Sequence, residues 1–294
     1  MWGEYLYPRT VDEALDLLGE RSGQARLIAG GTDLVLQLRR GERRVGCLLD
    51  ISRIDVLKTI SEANGTITLG AAATHAAVAS SPLVQERAPV LAQAAAEVCA
   101  PEIRNVATLG GNVVNAQPAA DAALALLALD AEAEIVNADG ARWVALPDLY
   151  RGAGVSAVDS TAELVTAFRF PVPAGQAGSA YRRLGKCKSI ALPVLCAAAV
   201  VELEGDRFAR AAISLGPVAP RPFRARAAET LLAGQPTTPE IVARAATRAQ
   251  QEAKPRDSLL RCARDYREAM VAVLVQSTLE KAVAAARLPA GGAS

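Results

Sequence analysis

Two glycine doublets are the residues in this chain whose types and spacing best fit a binding site. The first lies in LIAGGTDL, residues 27–34, where a predicted strand runs into Gly30 and Gly31. Glycine permits backbone conformations that turn successive amides inward, which creates a concave site for an anion. A helix that begins after Thr32 would add the positive end of its dipole. The segment therefore suits a phosphate or pyrophosphate, although a tight strand-to-helix turn is the simpler interpretation of this segment alone.

The second doublet lies in a longer segment, residues 104–131. Here residues 106–114 predict a strand that is interrupted by Gly110 and Gly111, with Thr108 before the glycines and Asn112 after them. Two such bends could hold one diphosphate from opposite sides. Asp121 follows at the start of an apolar helix. It would either cap the first turn or accept a hydrogen bond from a sugar hydroxyl, and the sequence alone favours capping.

Other candidate residues are weaker. His75 is the only histidine, so a histidine-rich zinc site and a Ser-His-Asp triad are disfavoured, and a structural role is the simpler interpretation of it. Residues 152–157, GAGVSA, match the dinucleotide pattern GxGxxA, but they neither follow a predicted strand nor open a helix. The pattern therefore fails the structural condition of a Rossmann site.

A basic segment, residues 181–193, could complement a diphosphate or an acidic partner, or simply form a basic surface strand. Its cationic residues are Arg182, Arg183, Lys186 and Lys188.

Composition excludes several classes of protein. The 294 residues are 51% apolar and carry a formal charge of +1, whereas a nucleic-acid-binding protein is usually more basic. Five cysteines without a CxxC pair predict a reducing compartment and no metal site. The first residues lack a secretory signal, and the longest apolar stretch, residues 191–201, is too short to span a bilayer. We therefore expect a cytoplasmic protein without an integral membrane segment.

The order of predicted elements indicates an α+β fold. Strands and helices are mixed up to residue 170, and a hairpin of residues 192–203 and 208–215 follows, with helices at 223–232, 239–251 and 266–286. The Pro- and Gly-rich residues 171–178 predict a domain boundary. The net charge is −7 before Gly178 and +8 from there on, which favours two domains with a polar face between them or toward partners, unless the difference is chance composition.

Five segments in fixed order resemble the flavin-binding medium subunit of molybdenum hydroxylases, the family of aerobic carbon monoxide dehydrogenase, nicotinate dehydrogenase and xanthine dehydrogenase. These segments are AGGTDL near residue 30, GAAATH at 70–75, IRNVATLGGNVVNAQPAAD at 103–121, ELVTAFRFP at 163–171 and RDYREAMVAVLV at 264–275. The resemblance covers nearly the whole chain.

This resemblance implies a two-subdomain FAD-binding fold of the vanillyl-alcohol oxidase type, with subdomains at residues 1–60 and 61–175. A C-terminal domain at 178–288, made of a three-stranded antiparallel sheet and a helical bundle, and a tail at 289–294 would follow. The first bend would line the diphosphate through backbone amides, and the second would close over it. Asp121 would contact the flavin nucleotide, Val165 its adenine or flavin portion, and Ile190 the isoalloxazine ring, while Lys186 lies in the segment that approaches FAD. The full set implied by the resemblance is Leu27, Ile28, Ala29, Gly30, Gly31, Thr32, Asp33, Leu34, Thr108, Leu109, Gly110, Gly111, Asn112, Asp121, Val165, Lys186 and Ile190.

The implied function is electron transfer without a catalytic side chain. FAD would take electrons from [2Fe-2S] clusters of a small subunit and pass them to an external acceptor, while substrate is oxidised in a large molybdopterin-binding subunit. The assembly would be a dimer of heterotrimers. Two alternatives remain: a self-contained flavin oxidase or reductase of the same fold, and a flavin-free scaffold.

Overall fold

A three-stranded parallel sheet forms the N-terminal subdomain of the computed structural model, which describes residues 2–186 and 192–288. The sheet order is β1-β3-β2. Thr10 caps the first helix by accepting a hydrogen bond from the backbone N–H of Glu13 at 3.1 Å, as the Thr-x-x-Glu spacing predicts. The elements are β1 (Glu4–Leu6), α1 (Val11–Glu20), β2 (Ala25–Ile28), α2 (Leu34–Arg39) and β3 (Cys47–Asp50).

The second subdomain is a five-stranded antiparallel sheet covered by short helices. Its sheet order is β4-β5-β10-β6-β7, with a separate hairpin of β8 and β9. Helix α8 is buried along its whole length, because its sequence is apolar on every face after Asp121. The elements are β4 (Ile60–Ala63), β5 (Thr66–Gly70), α3 (His75–Ser80), α4 (Pro82–Arg87), α5 (Pro89–Ala96), α6 (Pro101–Arg104), α7 (Leu109–Val114), α8 (Asp121–Ala128), β6 (Glu132–Asn137), β7 (Gly140–Ala145), β8 (Tyr150–Gly152), β9 (Val155–Ser156) and β10 (Leu164–Pro171).

The prediction of an interrupted strand at residues 106–114 is wrong. The segment enters helix α7, whose N-cap is Thr108. Val106, Val113 and Val114 gave the segment its strand-like composition, but Gly110 and the capping hydroxyl of Thr108 decide the structure. A Cβ atom at Gly110 would lie 2.8 Å from the carbonyl oxygen of Ala71, so only glycine lets this helix pack so closely on the neighbouring chain.

The C-terminal domain contains a four-stranded antiparallel sheet, not the three strands that the resemblance implied. The fourth strand, β14, pairs with β13 through Ser214–Arg224 and Leu215–Phe223. Two residues are too few to show an alternating pattern. The sequence therefore predicts a helix over the whole of 223–232, although its first two residues form this strand. The elements are β11 (Gln176–Leu184), β12 (Leu195–Glu204), β13 (Arg207–Gly216), β14 (Phe223–Arg224), α9 (Arg226–Leu232), α10 (Pro239–Glu252) and α11 (Arg264–Ala286).

Helix α11 spans 23 residues and is the one described helix that is long and apolar enough, by length and composition alone, to cross a membrane. In the structure it packs along β11 and β12 and against α10. Gly178 permits close contact with β11, because a Cβ atom there would lie 2.2 Å from the carbonyl oxygen of Ala282. The helix therefore occupies the position of a core helix that covers one face of the C-terminal sheet. Its buried residues are Arg267, Val271, Leu274, Val275, Thr278, Leu279, Ala282, Val283 and Ala286.

The opposite charges of the two halves meet at the domain boundary. Arg210 and Arg224 of the C-terminal sheet both pair with Asp130, which follows helix α8. Arg183 pairs with Asp121 at 3.4 Å and with Glu97 at 3.8 Å. In each of these pairs the acid belongs to the N-terminal half and the base to the C-terminal half. The predicted polar face between two domains is thus present among the described residues.

Candidate functional site

The first glycine bend follows directly on strand β2 and touches the second subdomain. Gly31 has a φ of +66°, a conformation that side chains other than glycine rarely adopt. Gly30 packs so closely that a Cβ atom would lie 2.0 Å from the carbonyl oxygen of Val106 and 2.9 Å from the Cα atom of Ala107. The two subdomains therefore meet backbone to backbone at this bend.

The backbone amides of the first bend are free. Gly30, Gly31, Thr32 and Asp33 lie between β2 and α2, and none of their N–H groups donates a hydrogen bond to any described residue. The helical hydrogen bonds begin beyond them, since the N–H of Val35 donates to the carbonyl oxygen of Gly31 at 2.9 Å. Four successive free donors at a helix N-terminus form a site for an anion.

The second bend lies beside the first, but its amides are already used. Their acceptors are all groups of the second subdomain, so this bend offers its side chains rather than its backbone. The four hydrogen bonds are Leu109 N–H to Ala73 O at 2.9 Å, Gly110 N–H to Ala71 O at 2.7 Å, Gly111 N–H to Thr108 Oγ1 at 3.1 Å and Asn112 N–H to Thr108 O at 3.0 Å.

A cavity of about 690 Å³ lies between the two subdomains, with both bends in its wall. This volume is within the usual range of roughly 300–1,000 Å³ for a small-molecule site. The predicted residues that line it are Leu27, Ile28, Ala29, Gly30, Gly31, Thr32, Asp33, Leu34, Thr108, Gly111 and Asn112. Leu109 and Gly110 lie behind the wall and are buried.

Val165 and Lys186 do not line this cavity. Val165 is buried in the core on strand β10, beside the irregularity between Val165 and Ala167. Lys186 is exposed after strand β11. Ile190 falls outside the described residues.

Asp121 occupies a buried position at the start of α8. Its Oδ1 accepts a hydrogen bond from the hydroxyl of Tyr181 at 2.6 Å and lies 3.7 Å from the thiol sulfur of Cys196. Burial raises the pKa of Asp121, while the bond from Tyr181 and the positive charge of Arg183 lower it. The prediction that Asp121 caps α8 is wrong, because the N-cap is Ala120 and no side chain makes a capping hydrogen bond there. Asp121 thus ties the second subdomain to the C-terminal sheet.

Helix α8, which begins at Asp121, is connected to the cavity wall. The Oδ1 atom of Asn112, which lines the cavity, accepts a hydrogen bond from the backbone N–H of Ala123 in α8 at 3.2 Å. This bond fixes the side chain of Asn112 to the first turn of that helix.

The sequence did not predict several of the cavity residues, among them His75 and three residues of a hairpin. His75 lines the cavity, although a structural role was the simpler prediction. The hairpin residues Gly154, Val155 and Ser156 form part of the wall, so the motif that failed as a Rossmann site still contributes to this one. The positive φ of Gly154, +71°, marks a turn between two very short strands, which no helical or alternating pattern could indicate.

Two arginines near the first bend place positive charge in the cavity wall. Arg26 is half-buried and Arg43 is exposed, and both line the cavity. Burial lowers the pKa of Arg26, and the like charge of Arg43 adds to this effect. The carboxylate of Asp159, which also lines the cavity, acts in the opposite direction and raises the pKa of Arg26. A bound anion would add a second negative charge near these arginines.

Asp33, like Asp159, is a carboxyl residue that lines the cavity. Asp33 is exposed to the cavity, yet the surrounding protein desolvates it and raises its pKa, while a hydrogen bond with Asn115 lowers it. The arrangement offers donors to an anion and polar side chains to neighbouring hydroxyl groups.

Family models cover most of the chain. Residues 2–173 match the FAD binding domain in molybdopterin dehydrogenase, and residues 179–282 match the CO dehydrogenase flavoprotein C-terminal domain. The boundary between the two matches falls at the predicted Pro- and Gly-rich segment.

Individual relatives match over almost their full length. The carbon monoxide dehydrogenase medium chain of Hydrogenophaga pseudoflava is 32% identical, over 95% of this chain and 96% of the relative. The xanthine dehydrogenase FAD-binding subunit of Escherichia coli O157:H7 is 30% identical, over 97% of each chain.

Solved structures agree with this assignment. A chain of carbon monoxide dehydrogenase from Hydrogenophaga pseudoflava superposes with a TM-score of 0.91 at 32% identity, covering 97% of this chain and 98% of that one. A chain of quinoline 2-oxidoreductase from Pseudomonas putida 86 gives 0.90 at 27% identity, with the same coverage. This chain therefore belongs to the FAD-binding medium subunits of the molybdenum hydroxylases, the flavoprotein components of these oxidoreductases.

Proposed function

We propose that this chain binds one FAD in the cavity between its two N-terminal subdomains, with the diphosphate on the free amides of the first bend. The proposal depends on four N–H groups, those of Gly30, Gly31, Thr32 and Asp33, which have no hydrogen-bond partner among the described residues. Buried or half-buried backbone donors are rarely left without partners in a folded protein. Arg26 and Arg43 add positive charge on the same side.

The other polar side chains of the wall would orient the rest of the nucleotide. The Oδ1 atom of Asn112 is occupied by Ala123, which leaves its NH₂ group to donate. Asp33 and Asn115 can bind hydroxyl groups. Asp121, Val165, Lys186 and Ile190 stay proposals on the strength of the family resemblance, and Asp121 is already held in place by Tyr181.

The proposed role of this chain in the complex is electron transfer through its bound flavin. FAD supplies the redox chemistry when bound, and the protein supplies binding, orientation and electrostatics. Electrons would arrive from the [2Fe-2S] clusters of a small subunit and leave to an external acceptor. No side chain of this chain needs to transfer a proton in such a role, so we propose no catalytic residue and no metal site.

The proposed partners are a large molybdopterin-binding subunit and a small [2Fe-2S] subunit, in a dimer of heterotrimers in the cytoplasm. The names of the relatives support this, since a medium chain is one component of a multi-subunit dehydrogenase. No nucleic acid and no membrane insertion are part of the proposal. The position of α11 against the C-terminal sheet supports the second point.

The first test is flavin binding by the full-length chain. Quenching of flavin fluorescence should report one FAD per chain, and the purified complex should contain FAD, iron and molybdenum with three co-purifying polypeptides. The absence of saturable FAD binding in both the isolated chain and the complex would contradict the proposed function. Purification of this chain alone after co-expression with its genomic neighbours would contradict the proposed partners.

A further inference from the structure

A buried histidine borders the cavity with its ring unpaired. His75 is 1% exposed and lines the cavity. Its backbone N–H donates to the carbonyl oxygen of Ala107 at 3.0 Å, which fixes the residue beside the second bend. Its ring Nδ1 is buried and has no hydrogen-bond partner among the described residues. A buried polar atom left unsatisfied is unusual in a native protein and marks a place where a ligand or water would bind.

The surroundings keep this imidazole neutral. Val98, Cys99 and Ile103 are the cavity residues of the adjacent wall, and Arg104 fixes that wall by donating to the carbonyl oxygens of Val98 and Cys99 at 3.0 Å. Burial and, to a smaller extent, the positive charge of Arg104 together lower the pKa of His75 to about 4. At neutral pH the ring therefore offers one donor and one acceptor rather than a positive charge.

Asn112, rather than His75, connects the cavity wall to the helix of Asp121, where the family resemblance implies a contact with the flavin nucleotide. The first bend packs on residues 106–107, so His75 lies one hydrogen bond away from the point where the free amides meet the second subdomain. Helix α7 follows Thr108, and its residue Asn112 accepts a hydrogen bond from the backbone N–H of Ala123. Ala123 belongs to α8, the helix that begins at Asp121. A neutral ring beside an apolar wall suits a neutral heterocycle or its sugar better than it suits a diphosphate.

We propose that His75 binds the adenosine half of the dinucleotide through a ring nitrogen and thereby favours FAD over FMN. The inference depends on the proposed FAD site. Adenosine carries acceptor nitrogens, an amino group and hydroxyl groups, so either tautomer of a neutral imidazole finds a matching partner. Loss of one such hydrogen bond weakens binding by about tenfold.

The test compares FAD with FMN, which lacks adenosine. Dissociation constants are measured by flavin fluorescence on the full-length apoprotein, for the wild type and for His75→Ala, His75→Leu, His75→Asn and His75→Gln. We expect His75→Ala and His75→Leu to bind FAD about tenfold more weakly and FMN with unchanged affinity. At least one amide variant should recover most of the FAD affinity, because Asn places a polar atom near Nδ1 and Gln near Nε2. ADP should compete with FAD in the wild type and less well in His75→Leu.

Several outcomes would overturn the inference. Unchanged FAD affinity in a folded His75→Leu protein would show that the ring makes no contact with the ligand. Equal weakening of FAD and FMN would place its effect on the flavin half or on the fold. If His75→Ala does not fold, the FAD affinity of His75→Leu is compared with those of His75→Asn and His75→Gln instead. Equal FAD affinities in these three variants would contradict the inference. Failure of the wild type to bind FAD would count against the proposed function instead.

Discussion

The two glycine doublets are alike in the sequence and different in the structure. The first bend needs glycine for a left-handed φ at Gly31 and for backbone contact at Gly30, and it leaves four amides free. The second needs glycine so that α7 can pack on Ala71, and all four of its amides donate within the second subdomain. A Gly-Gly pair after an apolar segment therefore indicates close backbone approach, and only the surrounding hydrogen bonds decide whether it binds a ligand.

The strongest test of this difference is Gly30→Ala. The new methyl group would lie 2.0 Å from the carbonyl oxygen of Val106, which is backbone and has no room to move aside. We expect the subdomain contact to open, with a loss of several kcal/mol in stability and a loss of FAD affinity of more than about a hundredfold. Thermal unfolding and flavin titration measure the two effects.

A matched control for Gly30 is available in α1. Gly19→Ala adds a methyl group into open space within a helix, so it should leave FAD binding unchanged and raise stability by up to about 1 kcal/mol. If Gly30→Ala retained full FAD affinity, the first bend would not be the diphosphate site.

A second test measures the free energy of unfolding as a function of pH. It concerns His75, which lies where the two bends meet and has a lowered pKa. The folded-state pKa of about 4 is below the usual 6.5, owing to burial and then to Arg104. As the pH falls below 6.5, the unfolded chain takes up a proton that the folded chain refuses, so stability falls between about pH 6.5 and pH 4. The loss should reach about 2 kcal/mol at pH 5.

His75→Leu isolates this contribution. The carboxyls of Asp33 and Asp121, whose pKa values are raised, act in the opposite direction but are present in both proteins. The difference in unfolding free energy between wild type and His75→Leu should therefore change by about 2 kcal/mol between pH 7 and pH 5. Parallel pH profiles for the two proteins would show that the imidazole is not held neutral.

The next test separates backbone strain from ligand contact. Gly31 and Gly23 have φ values of +66° and +73°, so alanine at either position costs about 1–2 kcal/mol of strain. A Cβ atom at Gly31 also lies 2.9 Å from the Cδ1 atom of Ile28, a side-chain end that can shift, whereas that of Gly23 meets open space. We expect similar changes in melting temperature but a weaker FAD affinity only for Gly31→Ala. Equal FAD affinities in the two variants would remove Gly31 from the site.

Much of the architecture could be predicted from the sequence, and the failures have physical causes. The amphipathic helix after Thr10 and the long hairpin of β12 and β13 follow from local periodicity. Residues 106–114 were mistaken for a strand because valines favour strands locally, whereas a capping hydroxyl and a tertiary contact at Gly110 decided for a helix. Strand β14 was missed because it is only two residues long.

The residues of the candidate site, too, could be predicted only where a local sequence pattern indicates them. The first bend, Thr108 and Asn112 could be found because glycine, Thr and Asn cluster in short segments that end at the cavity. His75 and the β8–β9 hairpin could not, since nothing near them in the sequence shows that they face the same space. The charge difference between the halves left open a polar face between the domains, a face toward partners or chance composition, and the ion pairs of Asp121 and Asp130 agree with the first of these.

The smallest expected effect comes from a pair of matched capping residues. Thr108 caps α7 and lines the cavity, whereas Thr74 caps α3 and forms an isolated bridge with Thr108 without lining the cavity. Each hydroxyl accepts a backbone N–H at 3.1 Å, from Gly111 and Ala77 respectively. Replacement of either threonine by valine keeps the shape and removes the acceptor, so each variant should lose about 1 kcal/mol of stability.

The informative measurement is the FAD affinity of these two variants. If the second bend serves only to hold the wall in place, Thr108→Val and Thr74→Val will weaken FAD binding equally and by less than about threefold. A loss of FAD affinity of more than about tenfold confined to Thr108→Val would show that its hydroxyl binds the nucleotide directly. The second bend would then contribute to the site through a side chain rather than its backbone, since the amides of residues 109–112 already donate to acceptors within the protein.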